Sequence, residues 1–312
     1  DSSVVPAKHT GLQPASFLRN RGILQRDLPV PVWGHAAAGS EITVTFGEQT
    51  KKTTAGEFGF WQVQLDAMPV SATGRDMVIR DNKGTERVIK DMLVGDVWVL
   101  TGSSMLAGES FKVKAGEKVE LPALPLVREF RIKTKARHSP KVRKIALEVG
   151  GGKYVSAWAD ADFDSMEDAP SVAGYQFAAQ VQEAGVPLGI ITLGSENPPL
   201  SWISLAGLQK AKGFEKERDD INLAFPNTEA CKTAVAGYLG TVEKYAAEVA
   251  GLLAAGKEVP ADMSNKAPLF PSPPYNEWSS RSESATYTYN FCISPMSPCA
   301  IRGVVWLPEK DN

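Results

Sequence analysis

Between Pro29 and about Val94, apolar and polar residues alternate with a period of two. Ile42-Thr-Val-Thr-Phe46, Trp61-Gln-Val-Gln-Leu65 and Met77-Val-Ile-Arg80 each place every second side chain on one face, as half-buried strands do. Turn residues separate them at Ala38-Gly39, Gly47-Glu48, Gly56–Gly59 and Asp81–Gly84. Short strands at this spacing predict a small antiparallel β-sandwich over residues 1–94.

Near Gly95 the texture changes. Asp96-Val-Trp-Val-Leu-Thr101 is a nearly continuous apolar run, the pattern of a strand buried on both faces. Phe177, Ala178, Val181 and Ala184 recur at helical spacing within Ser171–Ala184, Gly185 stands at the expected C′ position, and Pro187 precedes the apolar run Leu188–Leu193. Val304-Val-Trp-Leu307 reads as another buried strand. Apolar strands alternating with helices imply a parallel sheet covered on both faces, so residues 95–312 are expected to form an α/β domain.

One long helix is expected over Asn227–Gly256. Cys231, Val235, Tyr238, Val242, Tyr245, Val249 and Leu252 recur at steps of four and three, and Asn227 or Thr228 can cap the start. Such a stripe suits a coiled-coil seam or a helix packed on the sheet. Gly237, Gly240 and Gly251 would weaken a free-standing helix, which favours packing on the sheet. From Pro260 to Ser284, proline and serine predict loop.

Composition narrows the function classes. The chain has 312 residues, 43% of them hydrophobic, and 34 basic against 36 acidic residues give a net charge of −2. A near-neutral chain offers no global field for nucleic acid or an anionic membrane. No run approaches the ~18 apolar residues that span a bilayer. The opening DSSVVPAK lacks both Met and the pattern of a signal peptide, and reads as a processed terminus. Three cysteines (Cys231, Cys292, Cys299) with no CxxC spacing exclude zinc-finger and redox motifs; Cys292 and Cys299 read either as a pair across a short loop or as two buried thiols.

Few residues offer chemistry. Gly102-Ser103-Ser104 follows the Asp96–Thr101 strand, and ligands of open α/β sheets bind at the carboxyl ends of strands. A serine there, beside a backbone N–H able to meet an oxyanion, has the setting of a hydrolase nucleophile. It needs a base, and the histidines are His9 in the tail, His35 in the expected sandwich and His138 in a basic stretch. That stretch, Lys133–Lys144, has six Lys/Arg in twelve residues. It reads as an exposed strand edge, with an anchor for acidic glycans as the sharper alternative; it lacks interleaved aromatics for stacking nucleic acid. Asp160-Ala-Asp-Phe-Asp164 fails as an EF-hand loop because Ser165 and Ser171 stand where glycine and glutamate belong, and reads as an acidic loop before the helix. No metal or organic cofactor is implied.

From about Ile23 onward the chain resembles the sialate O-acetylesterase family, whose catalytic domain is of the SGNH-hydrolase type. The resemblance rests on Ile23-Leu-Gln-Arg-Asp-Leu-Pro-Val-Pro-Val-Trp-Gly34, on Leu93-Val-Gly-Asp-Val-Trp98 leading into GSSM where the family has GQSNM, and on Gly185-Val-Pro-Leu-Gly-Ile190. Pro198-Pro-Leu-Ser-Trp202 and the long segment Ile293–Trp306, which the family follows with YQGESN, complete it. It implies a β-sandwich followed by a flavodoxin-like α/β domain, secretion or placement in the periplasm or cell envelope, and a glycan or acetylated sugar as ligand.

Carried over residue by residue, Ser104 falls on the nucleophile, with Ser103 and Met105 where the family has Gln and Asn. The glycine loop that supplies an oxyanion N–H falls on Ser195-Glu196-Asn197, with Gly194 one place away. The Gly-Glu-Ser-Asn block falls on Glu309–Asn312, where Asn312 alone fits, as a candidate oxyanion-hole residue. The family's catalytic Asp and His fall beyond this point, so the domain is expected to be C-terminally truncated. Changes at several blocks favour a catalytically degenerate relative that binds glycan or serves as a structural or assembly subunit, with a protein partner or a homo-oligomer as the assembly. The alternative is an active serine carbohydrate O-acetylesterase. Trp158, Trp202 and Trp278 are candidate stacking aromatics for a retained cleft.

Overall fold

The computed structural model describes residues 11–15, 17–102, 124–132, 158–161, 171–193, 199–223, 227–271, 285–286 and 288–307. The chain divides into two compact units, and each has its own architecture.

The larger unit begins with antiparallel strands. β1 (Gln13–Pro14) pairs with β3 (Val30–His35), which pairs with β6 (Phe60–Leu65). β4 (Glu41–Phe46) pairs with β5 (Gln49–Thr54) and with β7 (Ser71–Asp81). The period-two reading holds: Ile42, Val44 and Phe46 of β4, and Trp61, Val63 and Leu65 of β6, are buried while their neighbours are not. These residues share one apolar core with Val30, Val32, Met77 and Ile79, each buried side chain contributing about 1.5–3 kcal/mol against exposure.

The change of texture at Gly95 is a change of partners inside one strand. β8 runs unbroken from Glu86 to Thr101. Up to Val94 it pairs antiparallel with β7, and from Asp96 it pairs parallel with β11 (Leu188–Leu193). β2 (Ile23–Gln25) lies parallel to β8 at Leu93–Gly95, just before β11 takes over. Glycine is required at 95 because a Cβ there would sit 1.9 Å from the Pro187 carbonyl oxygen. Beside it Arg26 grips Asp96 through two hydrogen bonds of 3.0 and 2.9 Å, and Gln25 receives the Val97 N–H at 2.9 Å, which fixes the register.

The carboxyl half of β8 is the centre of an α/β arrangement. Its strand order is β10 (Trp158–Ala161), β9 (Leu124–Arg131), β11, β8 and β12 (Gly303–Trp306), with β10 antiparallel to β9 and the other pairings parallel. Asp160 thus begins its acidic stretch in a strand and not in a loop. All six residues of β11 are buried, as an inner parallel strand requires. α1 (Val172–Val181), capped by Ser171, covers one face: Phe177 and Ala178 pack with Trp98, Leu100, Val127 and Ile190. Val97, Val99, Ile191 and Phe130 on the opposite face join the large core with Phe17 and Met296.

Two expectations are corrected here. Helix α1 stops at Val181, three residues before Ala184, and Gln182 is its extended cap. Gly185, with φ +78°, serves instead the turn closed by the Val186 N–H on the Glu183 carbonyl. The strand Val304–Leu307 is not buried throughout: Val304 and Trp306 are 56% and 50% exposed, and among the described residues β12 pairs with β8 alone and is the last strand on that side.

In the smaller unit, α2 (Leu205–Lys210) and α3 (Glu215–Asn222) enclose Leu208, Ile221 and Ala285. α4 (Glu229–Ala254) fills the expected span, with the Thr228 hydroxyl accepting the Cys231 N–H. The expectation was a helix packed on the sheet; α4 belongs to the helical unit, and none of its residues is buried. The chain's own return covers its stripe in part: Phe270 packs edge-on against Tyr238, and the Tyr245 hydroxyl donates to the Met263 carbonyl at 3.1 Å. That return contains a 3₁₀ turn, Ala261–Lys266, where only loop was expected.

Candidate functional site at the carboxyl edge

Strand order places the site. From β8 the chain runs out to β9 and β10, comes back to β11 on that same side of β8, and then crosses to β12 on the other, so the direction of winding reverses about β8. In open α/β sheets the crevice beyond the carboxyl ends at such a reversal is where ligands bind. Three strand ends meet there: Thr101 is in register with both Leu193 and Trp306. They are tied across the edge, since the Thr101 hydroxyl donates to the Leu193 carbonyl at 2.9 Å and the Leu307 N–H donates to the Thr101 carbonyl at 2.8 Å.

The residues assigned by motif follow these ends directly. Ser104 comes three residues after Thr101, Gly194 one after Leu193 and Asn312 six after Trp306. Ser104, Gly194 and Asn312 themselves lie outside the described residues, as do Ser103, Met105, Glu196 and Glu309. What the fold brings together is the three strands that deliver them.

At the edge the backbone is shaped for a close approach. Gly102 has φ +101°, and a Cβ there would lie 2.6 Å from the Leu307 carbonyl oxygen and 2.9 Å from Cε2 of Trp306. Only glycine fits this corner.

Behind the edge sits a buried polar network that no sequence motif marks. Glu129, near the end of β9, is 5% exposed. Its Oε2 accepts the Ser171 N–H at 2.8 Å, and its Oε1 accepts the Ser171 hydroxyl at 2.6 Å and the Thr192 hydroxyl. Arg131 stands 3.4 Å from Oε2. Each of these contacts is a donor, and the carboxylate sits at the amino end of α1. Since Thr192 is the penultimate residue of β11, the network fixes the strand that leads to Gly194. No local motif could have revealed it: its members lie on β9, α1 and β11 and are distant in sequence.

Other candidates fall elsewhere. His35 lies in β3, half buried, its ring edge-on to Phe60, and burial lowers its pKa. It therefore belongs to the three-stranded sheet and not to the strands that form the carboxyl edge. His9, His138, Trp278 and the basic stretch Lys133–Lys144 lie outside the described residues, and of Trp158 only the backbone is described. Trp202 ends a 3₁₀ turn in the helical unit. Cys292 and Cys299 are free thiols and not a disulfide, and burial pushes both up to about 12. Among the described residues no group of three His, Cys, Asp or Glu could hold a metal ion, and no helix is long and apolar enough to cross a membrane.

No protein-family model and no curated protein matches the chain. A solved structure of a carbohydrate acetylesterase from Xanthomonas citri is similar, with a TM-score of 0.57 and 21% identity over 96% of this chain and 52% of that one. The likeness is one of fold, and the chain spans about half the length of the protein it matches.

Proposed function

We propose that this chain is a carbohydrate-ester-binding relative of the sialate O-acetylesterases in which hydrolysis has degenerated. One observation carries the reading. The three sequence blocks that resemble the catalytic blocks of that family follow β8, β11 and β12, whose carboxyl ends lie side by side where the winding reverses. The likeness in fold to a carbohydrate acetylesterase agrees with it.

Degeneracy is argued from chemistry. An oxyanion loop works by presenting backbone N–H groups to developing negative charge. Glu196 brings a carboxylate to that loop, and Met105 and Glu309 replace family residues in the other two blocks. A site so altered retains a surface for the sugar while losing the means to stabilise a tetrahedral intermediate. The ligand class is an O-acetylated sugar of the cell exterior, and export of the chain is part of the proposal.

The retained serine favours a second reading. Ser104 stands three residues after the switch-point strand, the setting of an active O-acetylesterase, in which its hydroxyl would attack the acetyl carbonyl. Acetate release from O-acetylated N-acetylneuraminic acid and from p-nitrophenyl acetate, compared with a Ser104→Ala variant, separates the two. Equal background rates support degeneracy; serine-dependent turnover establishes the esterase.

A further inference from the structure

Among the described residues, the carboxyl edge carries one large aromatic, to which the sequence motifs assigned no role. Trp306 ends β12, is 50% exposed, and lies in register with Thr101. Exposure alone decides nothing, since Leu269 and Phe270 are more exposed and lie in the other unit. Place decides. The pyrrole edge of the indole lies against Gly102, whose missing side chain is what lets the ring reach the corner where β8 hands over to Ser103-Ser104.

We propose that the Trp306 indole is the platform on which the sugar ring of the ligand stacks. The inference rests on the carbohydrate reading above and deepens it by naming the subsite. A pyranose presents a face of C–H groups to an aromatic ring, and tryptophan offers the largest such face at little cost in side-chain entropy. A ring seated on Trp306 lies one strand, about 4.8 Å, from the end of β8.

The strand neighbours Val305 and Leu307 point into the α1 side of the sheet, so of the described β12 residues Trp306 is the one that stands at the carboxyl end on the opposite face. Val304 is as exposed but lies two residues back from the edge, and serves as an internal control.

The test is equilibrium binding of O-acetylated N-acetylneuraminic acid to the full chain, with acetylated xylose as a second probe. It is followed by tryptophan fluorescence and calorimetry in a Ser104→Ala background that prevents turnover. Trp306→Phe is expected to bind within a few-fold of the parent, and Trp306→Leu about tenfold more weakly, since it keeps apolar bulk but removes the π face. Val304→Ala is expected to leave affinity unchanged, and matched thermal midpoints identify the Leu variant as folded. Equal affinity of the parent and Trp306→Leu overturns the stacking role and leaves the carbohydrate reading standing. Failure of the parent to bind either probe overturns both.

Discussion

Ser171 donates twice to Glu129, through its backbone N–H at 2.8 Å and its hydroxyl at 2.6 Å. One serine thereby caps α1 and supplies two donors to a buried carboxylate; its oxygen also accepts the Gly174 N–H at 3.0 Å. The pairing joins the helix that covers the sheet to the strand ends that frame the site.

Removing the carboxylate leaves the Ser171 and Thr192 donors buried and unpaired. Glu129→Ala is expected to cost about 3–5 kcal/mol, and Ser171→Ala about 1–3 kcal/mol, in urea unfolding. Because they share one network, the double variant should cost less than the sum of the two. A loss below about 1 kcal/mol for Glu129→Ala would show that the network contributes little.

Acid acts on the Arg26–Asp96 pair. Burial raises the Asp96 pKa, but hydrogen bonds from Arg26 and Gln25 and the charges of Arg26 and Arg302 outweigh it and hold the carboxyl below its ordinary value. A depressed folded pKa contributes stability that is present above the unfolded value, about 3.9, and is lost as pH falls through the folded one. Unfolding titrations should therefore show the advantage of the parent over Asp96→Asn shrinking below about pH 4. A constant difference from pH 3 to 7 would remove the pair from the acid response.

Gly102→Ala forces a Cβ to 2.6 Å from the Leu307 carbonyl oxygen at a positive φ. The expected cost is about 1–3 kcal/mol in thermal or urea unfolding, together with weaker sugar binding as β8 and β12 move apart at the edge. Binding and stability equal to the parent would mean the corner is not constrained.

The thiols report on the core. Cys292, buried and held protonated, should resist iodoacetamide at pH 8 in the folded chain and react fully once it unfolds in urea. The folded pKa of Cys292 and of Cys299 lies above the unfolded value, so stability falls as pH rises beyond about 8.5, where the unfolded thiols ionise and the folded ones do not. Rapid labelling of Cys292 in the folded chain would contradict its enclosure.

Local pattern revealed what local pattern controls. The alternation in Ile42–Phe46 and Trp61–Leu65 gave strands and faces, and Thr228 with Gly256 bracketed α4, because periodicity and capping act within a few residues. The apolar run Val304–Leu307 was legible as a strand but not as an edge, since edge position depends on whether another strand lies alongside. α4 likewise showed its stripe but not what would cover it. Glu129 left no trace, as its partners lie 42 and 63 positions away and meet it only through the sheet. At the carboxyl edge, the serine was legible through its motif. Trp306 was hidden inside a run that read as core.

The most direct measurement is acetate release from O-acetylated N-acetylneuraminic acid by the purified chain beside its Ser104→Ala variant, at matched concentration. A degenerate carbohydrate-binding protein gives the same background rate in both while still binding the sugar. Turnover that disappears with the Ser104 hydroxyl would contradict that reading and establish an active esterase.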